Sequence, residues 1–66
     1  MNSLYSMKIL NEIERYISTK HPERIEEFRG ISNVMSNKNI YLWIDTNINK
    51  TEELNELMKD YFFSIH

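Results

Sequence analysis

Sixty-six residues without cysteine, at a formal charge of −2, allow one small domain spanning 1–66. They exclude a disulfide-stapled module, a thiolate zinc site and a cysteine nucleophile. Hydrophobic residues at 41% and charged residues at 27% mark a globular chain, but one too short to bury more than about 60% of its unfolded surface, so a second copy or a partner is the expected supplement to its core.

The first periodic segment covers residues 4–19. Leu10, Ile13 and Ile17 line one stripe, Met7, Ile9 and Tyr16 widen it, and Lys8, Glu12, Glu14 and Arg15 take the opposite side. That is the 3.6-residue period of an amphipathic helix. Ser3 is the expected N-cap, and the run from Ser18 to Pro22 stops the helix, because a residue before proline avoids the α region. Pro22 then opens a short second helix over 22–29, anchored by Ile25 and Phe28, with Gly30 as its terminator.

Residues 31–39 fit two patterns. As a helical continuation they place Ile25, Phe28, Ile31 and Met35 near one face; as a strand they align Ile31, Asn33 and Met35. The next five residues, Ile40, Tyr41, Leu42, Trp43 and Ile44, are β-branched, aromatic or leucine and are bounded by turn formers, which predicts a strand. A strand needs a neighbour for its backbone groups, so 31–35 is the expected partner in a hairpin closed by residues 36–39. In the final segment, Leu54, Leu57, Met58, Tyr61, Phe62 and Ile65 repeat with helical spacing over about 50–64, capped by Asn49 or Thr51. Ile13 and Leu57 are the expected deep core positions.

The expected fold is therefore α+β, a helix, short helix, β-hairpin and helix, with both long helices on one sheet face. The alternative is three helices, 22–37 forming one of them, with a strand at 40–44 pairing across a dimer.

No catalytic constellation is apparent. His21 stands beside a proline without converging ligands, Glu26 and Glu27 project to different helix faces, and one glycine cannot build a phosphate loop. No enzyme activity, cofactor or metal is expected. The basic residues Lys8, Arg15, Lys20, Arg24, Arg29 and Lys38 are scattered and mostly beside acids, which disfavours nucleic acid. Residues 45–66 are acidic, with Asp45, Glu52, Glu53, Glu56 and Asp60 against Lys50 and Lys59.

Strand alternation turns Ile40, Leu42 and Ile44 to the core and Tyr41 and Trp43 to the other face. Unless helix 22–29 covers them, an exposed tyrosine and tryptophan there suit a protein interface; the unbroken apolar run equally fits a sheet covered on both faces, with Tyr41 and Trp43 in the core. Phe63 stands about 100° around its helix from Phe62, so the aromatic girth exceeds what one neighbouring layer covers. Glu56 and Asp60 form an acidic rim, although a solvated helix face is the plainer account of them.

Tyr41, Trp43, Phe63, Glu56 and Asp60 are thus the candidate partner-binding residues of a small, non-enzymatic protein-binding module, an inhibitor or regulator. The expected partner is a protein, in a homodimer or a hetero-complex. The absence of alanine and the abundance of Ile, Asn and Lys point to AT-rich codons, hence a low-GC bacterium or its phage. No apolar run reaches membrane-spanning length and the start lacks a signal-peptide pattern, so the expected location is the cytoplasm. Two other readings are a structural subunit of a larger assembly and a nucleic-acid-binding regulator, the latter taking the helix pair 4–29 as a helix–turn–helix in outline. Arg15, Arg24 and Arg29 discriminate: free and convergent they favour nucleic acid, neutralised by Glu12, Glu26 and Glu27 they do not.

Overall fold

Isoleucines spaced four residues apart organise the fold. The computed structural model describes residues 3–63, with side chains from Leu4 onward. Among them are four α-helices: α1 (Ser3–Lys20), α2 (Ile25–Val34), α3 (Asn37–Asn47) and α4 (Glu52–Phe62). A 3-10 turn at Pro22–Arg24 leads into α2. No strand occurs among the described residues, so the chain is a helical bundle and not the expected α+β fold.

The outer two helices follow their sequence periodicity. Ile9, Ile13, Tyr16 and Ile17 of α1 are buried, while Leu10 is only partly covered and Met7 is exposed. The α1 ladder closes with the His21 N–H donating to the Ile17 carbonyl at 2.7 Å, just before Pro22 removes the next donor. On α4, Leu54 and Met58 are buried. Leu57, expected as a deep core residue, is half-buried at the edge of the core. Thr51 and not Asn49 caps this helix, its Oγ1 accepting from the Leu54 N–H at 3.3 Å. The Ser3 side chain and Ile65 lie outside the described residues.

The middle of the chain departs from expectation. Gly30 does not terminate a helix; it sits inside α2 with no positive φ. Phe28 is fully buried and Ile31 packs on the core beyond it, and that burial outweighs the cost of about 1 kcal/mol for a helical glycine. The helix ends at Val34, where Met35 turns extended.

Residues 36–39, expected as a hairpin loop, are instead the N-cap and first turn of α3. Ser36 accepts from the Asn39 N–H at 3.4 Å. The run 40–44 is helical, and the alternative with a strand at 40–44 across a dimer is corrected with it. Ile40, Ile44 and Ile48 recur at i, i+4 and i+8 and are all buried. A helix satisfies its backbone within itself, whereas a strand here would have needed a partner. Leu42, placed in the core by strand alternation, is 48% exposed.

The largest fully buried side chains are Ile13 and Ile17 from α1, Phe28 from α2, Ile44 from α3 and Leu54 from α4. Every helix thus contributes to one core, and the packing of α1 against α4 is the most extensive in the bundle.

Candidate functional site

Where α3 and α4 meet at the surface, helical spacing brings aromatic residues together. Tyr41 on the first half of α3 meets Phe62 and Phe63 at the end of α4, with ring centroids 5.3 and 5.4 Å apart and planes at 83° and 78°. These are edge-to-face contacts, the arrangement favoured by ring quadrupoles. Tyr61 and Phe62 meet edge-on as well, at 4.8 Å. Phe63 ends the cluster and remains 60% exposed.

A groove of about 390 Å³ runs beside the cluster, walled by Tyr41, Met58 and Phe63 with Glu52, Asn55, Glu56 and Lys59. A second shallow cleft, about 430 Å³, lies between α1 and α4 and includes Glu12, Tyr16, Glu53, Glu56, Leu57 and Asp60. Glu56 stands on the ridge between the two.

The structure therefore brings Tyr41, Phe63 and Glu56 to one groove and puts Asp60 on the neighbouring cleft. Trp43 is elsewhere. Its ring lies 5.9 Å from Phe28 at a 45° tilt, packed against the core, and its buried Nε1–H has no hydrogen-bond partner among the described residues. The outward position deduced from strand alternation disappears with the strand. Asn55 and Lys59 were not singled out from the sequence, yet they wall the groove. Their signal is the stripe Glu52, Asn55, Glu56, Lys59 and Phe63, which share a helix face at steps of three, four and seven.

Charge is distributed unevenly. Arg15 lies 4.0 Å from Glu12, Arg24 3.4 Å from Glu27, and Arg29 2.9 Å from Glu14 and 3.1 Å from Glu26. The Arg29 guanidinium is held above its ordinary range, chiefly by the hydrogen bond to Glu14. Lys50 pairs with Asp45, and that hydrogen bond raises the lysine in the same way. His21 approaches Glu23 at 3.6 Å, and Lys59 approaches Glu56 at 3.6 Å. Among the described residues, the carboxylates without such a partner are Glu52, Glu53 and Asp60, all on α4. Arg15, Arg24 and Arg29, the residues that discriminate a nucleic-acid surface, each face an acid.

No cluster of three or more histidine or acidic side chains able to hold a metal ion occurs among the described residues, and none of their helices is long and apolar enough to cross a membrane. Compared with known proteins, the chain matches no family model, no curated protein and no solved structure.

Proposed function

We propose that the protein is a small, non-enzymatic protein-binding module, an inhibitor or regulator, that docks its partner at the groove between α3 and α4. The observation that carries this reading is Phe63, 60% exposed and held edge-on to Tyr41 at the groove mouth. A large aromatic fixed by a neighbouring ring but open to water offers apolar area at little cost in side-chain ordering, the character of an interface anchor. The pairing of Arg15, Arg24 and Arg29 with acids favours a protein over a nucleic acid as the ligand, since paired cations release fewer counterions from a phosphate backbone. On this reading the module acts in the cytoplasm.

The test compares the wild type with Phe63→Ser as baits in lysate of a low-GC bacterium. Phe63 covers little of the core, so its replacement leaves the fold intact, as circular dichroism will verify. A protein retained by the wild type and lost from Phe63→Ser supports the reading. Identical captures from both baits exclude the groove as the docking site.

A further inference from the structure

We propose that the cleft between α1 and α4 is a dimer interface, closed by a second copy of this chain about a two-fold axis running along the cleft. The surface is separate from the α3–α4 groove and leaves that groove open.

The two walls of the cleft differ in sign. The α1 wall carries Arg15 and Lys20 with one acid, Glu12, whereas the α4 wall carries Glu53, Glu56 and Asp60 and no base. Opposite charges thus line one cleft, yet no ion pair among the described residues crosses it. Glu56 is engaged along its own helix by Lys59, while Lys20, Glu53 and Asp60 have no ionic partner. Arg15 approaches Glu12 only to 4.0 Å with its side chain 77% exposed, so its remaining donors are open to a second carboxylate. The helix dipoles favour Lys20 at the end of α1 and Glu53 at the start of α4. Asp60 has no such support, for it stands in the last turn of α4.

A surface with both signs in adjacent columns is complementary to itself. The two-fold axis lays the α1 wall of each copy on the α4 wall of the other. Arg15 and Lys20 of each then meet Glu53 and Asp60 of the other, and every contact is made twice, as an isologous interface requires. The net charge of −2 on each copy opposes this only weakly, being screened beyond about 8 Å at physiological salt.

Leu57 supplies the apolar centre. It lines the cleft and is half-buried, although Leu54 and Met58 on the same stripe are covered. Beside the axis, Leu57 of one copy packs on Leu57 of the other, within a charged rim. A chain of 66 residues, short of core on its own, gains most from such a supplement.

The experiment is sedimentation equilibrium of the full chain from micromolar to millimolar concentration, with 15N spectra over the same range. The expected result is a monomer–dimer equilibrium with concentration-dependent shifts at the amides of Arg15, Lys20, Glu53 and Leu57. Reversing one wall, with Glu53→Lys and Asp60→Lys together, should weaken the dimer by about tenfold or more. Adding Arg15→Glu and Lys20→Glu exchanges the two walls at unchanged net charge and should restore it. Asp60→Asn, mild for the helix, should weaken it by roughly threefold. Circular dichroism verifies that each variant folds.

A monomer throughout the range, or a dimer indifferent both to wall reversal and to Asp60→Asn, overturns the proposal. So does a loss on reversal that exchange of the walls fails to repair in a folded chain. Shifts confined to Tyr41 and Phe63 would put the second copy in the α3–α4 groove and overturn it as well.

Discussion

The Tyr16 hydroxyl lies 2.8 Å from Thr51 Oγ1, the same oxygen that accepts the Leu54 N–H and caps α4. One threonine thus both starts the last helix and ties it to the first, 35 residues away.

Removing this oxygen should cost more than removing its distant partner. Thr51→Val loses the cap and the cross-helix bond, about 1–3 kcal/mol together, whereas Tyr16→Phe loses the bond alone, about 1 kcal/mol. In the Thr51→Val background Tyr16→Phe should add almost nothing. Urea unfolding of the four proteins checks this, and strictly additive costs would show that the hydroxyls do not interact.

Gly30 offers a gain. A Cβ built there meets nothing within 4 Å, and the backbone is helical. Gly30→Ala should stabilise the protein by about 0.5–1 kcal/mol, raising Tm by several degrees. An unchanged or lowered Tm in calorimetry would contradict the position of Gly30 within α2.

Core truncations should differ by depth. Ile13 is fully buried, so Ile13→Ala should cost about 2–5 kcal/mol and leave a chain of marginal stability largely unfolded. Leu57 is half-buried, and Leu57→Ala should cost roughly half as much and leave a cooperative transition. Equal loss in both would move Leu57 into the core.

Trp43 separates packing from hydrogen bonding. Trp43→Phe keeps a ring against Phe28 and deletes an indole N–H that has no partner among the described residues, so it should change stability by less than about 1 kcal/mol. Trp43→Ala removes the ring and should cost about 3 kcal/mol. If the two variants unfold alike, the indole N–H makes a bond that matters.

The ends of the bundle were legible in the sequence because their stripes leave one pattern standing. Ile13, Tyr16 and Ile17 on α1, and Leu54, Leu57 and Met58 on α4, repeat at steps of three and four with charges opposite, and a strand would throw residues three apart onto opposite faces. The run 40–44 carries no such contrast, since five consecutive apolar residues satisfy either period. The series Ile40, Ile44 and Ile48 does not decide it either, because a step of four keeps side chains on one face in a strand and in a helix alike. Ser36 and Gly30 misled for a related reason: each is a turn former by type, but one starts a helix and the other is carried through by the burial of Phe28 and the packing of Ile31. At the site, Phe63 and Glu56 follow from helical girth and charge, which survive the change of fold. Tyr41 and Trp43 follow from strand alternation, which does not survive; Tyr41 lines the groove from its place on α3, and Trp43 packs on the core.

The dominance of the α1–α4 contact has a consequence for biosynthesis. The α1 helix finds a large part of its packing surface only after Leu54 and Met58 have been added. Until then the Ile13 and Ile17 face can pack only on the turn at 22–24 and on α2, and the part that α4 covers stays open to chaperones and to neighbouring nascent chains. A chain that stops before α4 lacks Leu54 and Met58 from its core and the Thr51 hydroxyl that ties the last helix to Tyr16.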